Sequence, residues 1–164
     1  TEGILNSSAI SLNFLNKFDQ AMYQIKGHNP TFALMNSTVL LAIRALLRKE
    51  KLLNQSQDFF DRTVDMYGNT RLVDIGTTAD QTTEVLPLTE TKGGGTTESS
   101  IYFVKFGIGE FLWGIQEYPL EVEDKGLLEG SPIYRTEMDW PLGLAVADPY
   151  SISRLYGIIP TNAA

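Results

Sequence analysis

Few residues in this sequence combine a reactive side chain with a partner that could activate it. His28 is the only histidine in the 164 residues, and there are no cysteines. A serine-type triad would need His28 as its base, but no turn or strand pattern brings a nucleophile to it. The residue directly follows a predicted helix, where an imidazole typically lies against the negative helix end. We therefore expect no catalytic residue and no enzyme activity.

Two acid-rich runs, residues 121–124 and 137–139, could hold a divalent cation or supply an acid–base pair. Glu121 and Glu123 alternate with apolar neighbours, which is the pattern of a strand with one solvated side. A solvated face accounts for these carboxylates without a metal or a substrate. We expect no metal site here.

The two tryptophans and a group of basic residues could each form a binding site or have a purely structural explanation. Trp113 and Trp140 could form a stacking platform for a carbohydrate, or they could pack in a core or an interface. Four cations near the end of a predicted helix could bind phosphate, or they could complement the helix dipole on a wet face. These cations are Arg44, Arg48, Lys49 and Lys51.

Composition narrows the class of protein. The formal net charge of -7 argues against a face that binds nucleic acid or an anionic membrane surface. No apolar run approaches the roughly 20 residues that cross a bilayer. The lack of cysteine excludes disulfides and thiolate metal sites. We expect no cofactor, no membrane and no sequence-specific nucleic acid among the partners.

Helix and strand patterns alternate in the first half of the chain. Residues 10–26 carry apolar side chains at helical spacing and predict an amphipathic helix. Residues 31–35 are short and apolar enough for a buried strand, after which Asn36 or Ser37 can cap a second helix. The dipeptide Gly68-Asn69 between two strand-like runs predicts a tight hairpin.

Residues 76–98 differ from the rest of the chain. They contain eight threonines and a run of three glycines. The glycines are not a phosphate loop, because the lysine–serine pair and the helix that complete such a loop do not follow. The composition predicts a long, mobile loop with little regular structure, and loops of this length usually carry function.

The second half of the chain reads as strands. Residues 100–106 are largely apolar on both faces, which predicts a central strand. Phe111, Trp113 and Ile115 fall on one face of a further predicted strand. In residues 134–140, charged side chains alternate with Tyr134, Thr136, Met138 and Trp140. Fully extended, residues 133–147 would span about 50 Å, whereas a compact chain of this length has a radius of gyration of about 15 Å. Pro141 should therefore mark the point where the chain leaves one sheet for another, and we expect two subregions that share this segment.

Six motifs occur in an order that points to a known family. They are ALMN (33–36), YGNTRLVDIG (67–76), VLPLTE (85–90), SSIYFVKFG (99–107), EYPLEVEDKG (117–126) and PIYRTEMDWPLGLAVADPYSISRLYGI (132–158). Over residues 14–158 the sequence resembles the C-terminal half of a tailed-phage or prophage major capsid protein with the HK97-type fold.

The resemblance implies an α+β fold made of an axial (A) domain and part of a peripheral (P) domain. Residues 1–29 would end the P-domain spine helix, residues 30–120 would form the A domain, and residues 121–164 would return to the P-domain sheet. The loop near the symmetry axis would contact neighbouring subunits. Its contact residues would be Thr82, Thr83, Glu84, Lys92, Gly93, Gly94 and Gly95.

The function implied is that of a structural subunit of an icosahedral capsid, which self-assembles into pentamers and hexamers around double-stranded DNA. Its partners would be further copies of itself, with scaffolding and portal proteins as candidates. Its place would be the virion, and the bacterial host cytoplasm during assembly. An encapsulin-type compartment shell and a β-rich carbohydrate-binding module are the alternatives.

Two parts of the family pattern have no counterpart here. The N-terminal arm, the extended loop and the first part of the P domain are missing, so we expect a truncated subunit that is monomeric or weakly associated alone. Some relatives cross-link a lysine to an asparagine. The lysine belongs to the missing half, and residues 117–140 offer no convincing asparagine, so no cross-linking is expected.

Overall fold

The chain forms two compact units, as a computed structural model describes them for residues 3–5, 12–57, 61, 63–127 and 129–160. The larger unit comprises Thr1–Phe106 with Pro149–Ala164, and the smaller comprises Gly107–Asp148. For residues 3–5 and 12 the description is of the backbone. None of the helices in the described part is long and apolar enough to span a membrane.

In its described residues, the larger unit contains two α-helices, seven strands and a short 3-10 helix (Pro149–Ser151). The α-helices and strands are β1 (Gly3–Leu5), α1 (Leu12–Tyr23), β2 (Phe32–Met35), α2 (Ser37–Lys49), β3 (Asn54–Gln57), β4 (Thr63–Tyr67), β5 (Thr70–Asp74), β6 (Ser99–Val104) and β11 (Ile152–Pro160). The smaller unit contains the four strands between them. They are β7 (Leu112–Gln116), β8 (Glu121–Leu127), β9 (Tyr134–Asp139) and β10 (Leu142–Val146).

The seven strands form one mixed sheet in the order β1-β11-β6-β2-β5-β4-β3. Strand β6 is flanked by β11 and β2 and runs antiparallel to both. The predicted central strand is therefore confirmed. Strand β2 pairs in parallel with β5, and β11 pairs in parallel with β1. The sheet combines hairpins with crossover connections, as expected for an α+β fold.

Both helices bury one face against the sheet. The Phe18 ring of α1 meets the Phe103 ring edge-on at 4.7 Å and the Tyr67 ring at 5.3 Å, measured between centroids. Helix α2 contributes four buried side chains, which are Val39, Ile43, Leu46 and Leu47. Helix α1 begins at Leu12 in the structure. The first two residues of the predicted span, Ile10 and Ser11, lie outside the described residues.

Local chemistry sets the predicted boundaries of α2 and of the β4–β5 hairpin. The Asn36 side chain accepts a hydrogen bond from the Thr38 amide at 2.8 Å, so Asn36 rather than Ser37 is the cap. Its amide group also donates to the Leu86 carbonyl, which fastens the long loop to the helix. Gly68 has a φ of 58°, as a two-residue hairpin turn requires.

The Tyr67 hydroxyl should resist ionisation. Burial raises the pKa of Tyr67 to about 12, and Asp19 adds to the rise by repulsion and by a hydrogen bond. The folded pKa exceeds the unfolded value of 10.0, so this contribution to stability is complete below pH 10 and is lost as the pH rises through 12. Near-ultraviolet absorbance at pH 11 should show at least one neutral tyrosine. Tyr67→Phe should reduce that late phase, to which Tyr118 also contributes through its raised pKa. A tyrosinate signal already complete at pH 11 would contradict the prediction.

The smaller unit consists of two separate two-stranded ribbons. Strand β8 pairs with β9, and β7 pairs with β10, both antiparallel. Pro141 lies between β9 and β10, so the predicted change of sheet at this proline is confirmed. The expectation that residues 133–147 join two subregions is wrong, because both ribbons belong to Gly107–Asp148 and the chain re-enters the larger unit at Pro149. The break at Pro141 divides this long segment between two short ribbons, with β9 in one and β10 in the other.

The division into P-domain and A-domain parts at residues 29 and 120 stays a prediction. Along the chain, the boundaries of the two compact units fall at residues 106–107 and 148–149.

Candidate assembly surface

The predicted contact residues of the loop lie in two turns, each organised by its own carboxylate. In the first turn Asp80 accepts hydrogen bonds from the Thr82 and Thr83 amides at 3.0 Å and from the Thr78 and Thr83 hydroxyls. Glu84 closes this turn by a bridge to Thr77. The Thr78 hydroxyl, followed by the Thr83 donors, holds the pKa of Asp80 far below its usual value.

The second turn is a cradle for Glu98. This buried carboxylate accepts hydrogen bonds from the Gly93 amide at 2.6 Å and from the Gly95 amide at 2.7 Å. Gly94 between them has a φ of 101°, which favours glycine. A Cβ on Gly93 would lie 2.3 Å from the Glu98 carboxylate. A side chain at position 93 would therefore force the Glu98 carboxylate to shift out of this cradle. Contact of the glycine run with a neighbouring subunit stays a prediction.

Lys92 points its ammonium group at the Tyr156 ring, 5.9 Å from the centroid. This contact fixes one end of the glycine run to strand β11. Regular structure in the described loop is limited to the bridges Thr77–Glu84 and Glu90–Glu98, as the composition predicted.

The loop should exchange amide protons unevenly, because five of its amides are donors to carboxylates, those of Gly76, Thr82, Thr83, Gly93 and Gly95. We expect the Thr82, Thr83, Gly93 and Gly95 amides to exchange more slowly than the loop amides that make no hydrogen bond. Asp80→Ala should release the first pair, because it removes the acceptor oxygen, and should leave the second unchanged. Because the pKa of Asp80 is lowered, protection of the first pair should persist as the pH falls through the usual carboxyl range and should fail only in stronger acid. Uniformly fast exchange throughout the loop would contradict this.

Helix α1 ends at Tyr23, three residues before the predicted end, and His28 reaches back to the carbonyl of this last helical residue. The His28 Nδ1 is 2.7 Å from the Tyr23 carbonyl oxygen, and the two rings stack at 4.8 Å between centroids. One of the four cations near the end of α2 also has a local partner. The Arg44 guanidinium pairs with Asp65 at 2.6 Å, which removes one of the four cations from a phosphate patch.

The two tryptophans do not share a face of the β7–β10 ribbon. The Trp140 indole donates to the Gln116 side chain at 3.4 Å. Trp113 and Gln116 are three positions apart on β7, so alternation directs them to opposite faces. The stacking platform that a carbohydrate site would need is therefore not formed by these indoles.

The carboxylates of β8 and β9 are held by cations on the same face. Lys125 pairs with Glu123 and with Glu137, the latter at 3.6 Å, and Arg135 pairs with Glu137. Asp139 accepts a hydrogen bond from the Tyr118 hydroxyl, which raises the pKa of Tyr118. Among the described residues, no group of three or more histidines or carboxylates is placed to hold a metal ion.

The opposite face of the β8–β9 ribbon carries four apolar side chains together with Asp124 and Thr136. In the register, Val122 lies across from Met138 and Leu127 lies across from Tyr134. We call these four side chains the ribbon apolar face. All four are exposed, and Met138 shows 73% of its surface to solvent. The prediction that one side of β8 would be buried is thus wrong for this chain, because β8 and β9 form a two-stranded sheet by themselves.

Exposed apolar side chains are concentrated throughout Gly107–Asp148. Twelve of the twenty large exposed hydrophobic residues in the described part of the chain lie there, although the unit has about a quarter of its residues. The second ribbon contributes Leu142, Leu144 and Val146, of which Leu144 is 72% exposed. Leu112 is the one large hydrophobic residue of this unit that the described structure buries. Monomeric proteins rarely leave apolar surface uncovered on this scale.

Sequence reasoning found these strands but not their exposure. The signal was the strict alternation in 120–123 and 134–140, which identifies one apolar face on each strand. Alternation cannot indicate whether the cover for such a face comes from the same chain.

The fold matches solved structures, although no protein-family model and no curated protein matches the sequence. A chain of the holo-SrpI encapsulin complex from Synechococcus elongatus aligns with a TM-score of 0.66 at 16% identity. The alignment covers 99% of this chain and 54% of that chain, so this chain spans about half the length of the encapsulin. The likeness shows a capsid-type fold, which confirms that part of the expectation. It is a likeness of fold alone.

Proposed function

We propose that this chain is part of a structural subunit of a closed protein shell, which assembles from many copies of itself and has no enzyme activity. The observation that carries the proposal is the uncovered apolar surface of Gly107–Asp148. A two-stranded ribbon is at best marginally stable in water, so ribbons of this kind need cover from another surface. The capsid-type fold supports further copies as the source of that cover.

Weak contacts suit this function. Each ribbon offers only a small apolar area, but a subunit in a shell meets several neighbours at once, and many weak contacts sum to a stable assembly. The 164-residue chain alone should therefore be monomeric or weakly associated. A stable closed particle formed by this chain alone would contradict that part of the proposal.

The proposed shell could enclose either DNA or protein cargo. In the first, the protein is a phage or prophage capsid subunit that forms pentamers and hexamers around double-stranded DNA, with scaffolding and portal proteins as further partners. Its location is then the virion, and the host cytoplasm during assembly. In the second, it is an encapsulin-type compartment that encloses protein cargo. The fold supports both about equally, since its neighbour is an encapsulin and the fold class is that of the phage capsids.

Electron microscopy of the product of the complete reading frame tests the proposal. We expect closed particles of uniform size. Nuclease-resistant DNA inside them would support the capsid, whereas co-purified protein without DNA would support the compartment. A full-length product that stays monomeric at high concentration would overturn the shell function. A net charge of -7 predicts that duplex DNA binds this chain weakly, and a strong, salt-dependent affinity would contradict that expectation.

A further inference from the structure

We propose that the free edge of strand β3 pairs with an extended, acidic segment of a partner protein, whose carboxylates lie beside two cations at the end of helix α2. The inference does not depend on the proposed shell. It rests on a groove of about 550 Å³ between the end of α2 and the beginning of β3. The residues that line the groove are Leu47, Arg48, Lys51, Leu53, Asn54 and Gln55.

Strand β3 is an edge of the seven-stranded sheet, because β4 is its only neighbour in the described chain. Every second residue of an edge strand directs its N–H and C=O away from the sheet. Natural edges are commonly protected by a charged side chain, a proline or a β-bulge. The sequence of β3, NQSQ (54–57), has neither charge nor proline, and its register with β4 is regular throughout. Its backbone can therefore pair with a further strand.

The side chain of Gln55 shows which face of β3 points toward α2. It donates a hydrogen bond to Asp65 at 3.1 Å, and Asp65 pairs with Arg44 of α2 at 2.6 Å. A strand added beside β3 would direct every second side chain to this same face. Those side chains would lie next to the end of α2, where the groove is.

The charge of the groove selects an acidic occupant. Arg48 and Lys51 are exposed, and neither has an ion pair among the described residues. Asp65 already pairs with Arg44, so it does not neutralise them. Residues 48–57 contain three cations and one carboxylate, and they form a basic patch on a chain with a net charge of -7. Nucleic acid is also anionic, but it has no peptide backbone with which to pair β3.

A second copy of this chain suits the groove less well than a separate acidic segment. The acidic strand of this chain, Glu121–Leu127, already pairs with β9. Two whole copies also repel each other, since each carries a net charge of -7, whereas a short segment brings only its own carboxylates. The occupant is therefore a partner segment with carboxylates at every second position.

Titration of the 164-residue chain with a labelled peptide tests the inference. The probe is a blocked peptide of typical strand length in which glutamate alternates with threonine, and fluorescence anisotropy measures its binding. We expect saturable binding that weakens as the salt concentration rises. The same peptide with glutamine in place of glutamate should bind about tenfold more weakly.

Two control probes separate strand pairing from simple attraction between charges. A proline at the centre of the peptide removes a backbone donor and should abolish binding. A DNA oligonucleotide of equal charge should bind more weakly than the peptide. If the proline peptide or the oligonucleotide binds as tightly as the parent peptide, the groove attracts anions without pairing a strand, and the inference is overturned.

Lys51→Gly separates the loss of binding from a loss of folding. Lys51 has a φ of 56°, a backbone conformation that favours glycine. Its amide donates to the Arg48 carbonyl and the next amide donates to the Leu47 carbonyl, as in a Schellman helix end. The variant should therefore unfold at a higher temperature than the parent and yet bind the peptide about threefold more weakly. Unchanged affinity in Lys51→Gly would overturn the inference.

Arg48→Gln and Lys49→Gln form a matched pair. Both remove one cation from the last turn of α2, but only Arg48 lines the groove. Arg48→Gln should weaken peptide binding about threefold, and Lys49→Gln should weaken it by less than about twofold. Equal losses would overturn the inference.

Two further outcomes would assign the edge to a different occupant and overturn the partner. In the first, the peptide does not bind, but Arg48→Gln weakens self-association of the chain in sedimentation experiments, so a second copy occupies β3. In the second, the 164-residue chain binds the peptide and the product of the complete reading frame does not, so the rest of its own chain covers β3.

Discussion

Phe18→Ala should lower the free energy of unfolding by about 3–5 kcal/mol. Phe18 is 2% exposed, and its ring lies against Phe14, Tyr67 and Phe103 at centroid distances between 4.7 and 6.0 Å. Its removal leaves a cavity between α1 and the central strand β6, and the three rings around it cannot all move to close the space. Thermal unfolding followed by circular dichroism should show a midpoint lower by about 10 °C.

Tyr23→Ala is the matched control, since Tyr23 is an aromatic residue on the same helix that is 64% exposed. We expect it to change the stability by no more than about 0.5 kcal/mol. Phe18→Leu should fall between the two, because leucine fills part of the cavity. Equal losses for Phe18→Ala and Tyr23→Ala would contradict the prediction that packing against β6 determines the cost, because alanine favours the helix at both positions.

Arg154→Met should cost about 2–4 kcal/mol, because it leaves the Glu90 carboxylate mostly buried without its charged partner. Arg154 donates to Glu90 at 2.8 Å and to the Ser100 hydroxyl at 3.0 Å, and its guanidinium lies 5.3 Å from the centre of the Tyr102 ring. Ser100 also donates to Glu90. The Glu90 side chain is only 14% exposed. The network fastens the end of the long loop to strands β6 and β11.

A double-mutant cycle separates the pair from its surroundings. Combining Arg154→Met with Glu90→Gln should recover part of the loss, because the unpaired buried charge is then removed. Arg135→Met is the surface control: its partner Glu137 is 42% exposed, and we expect a cost below about 1 kcal/mol. If the double variant loses the sum of the two single losses, Glu90 and Arg154 do not interact energetically.

The features that could be predicted from the sequence are those that a few adjacent residues determine. The Asn36 cap, the hairpin turn at Gly68 and the change of sheet at Pro141 each depend on the backbone chemistry of one or two residues. The central position of β6 also followed from local information, because a strand that is apolar on both faces needs cover on both sides. Only the order of the six motifs predicted the capsid-type fold.

Features that depend on distant residues could not be predicted. The Glu98 cradle had a weak local signal in the glycines that precede it. The Arg154–Glu90 pair had none, because 64 residues separate its members. The parallel pairing of β1 with β11 likewise joins opposite ends of the chain.

The ribbon apolar face shows which features depend on the sequence alone and which depend on the tertiary structure. By itself, the sequence determined which side chains of β8 and β9 share a face, because strand geometry alternates them with a period of two. Only the tertiary structure decided that the face stays uncovered, since cover depends on which other elements pack there. Strands β8 and β9 pair only with each other in the described chain, and so an apolar face that a sequence pattern assigns to a core is instead exposed at the surface.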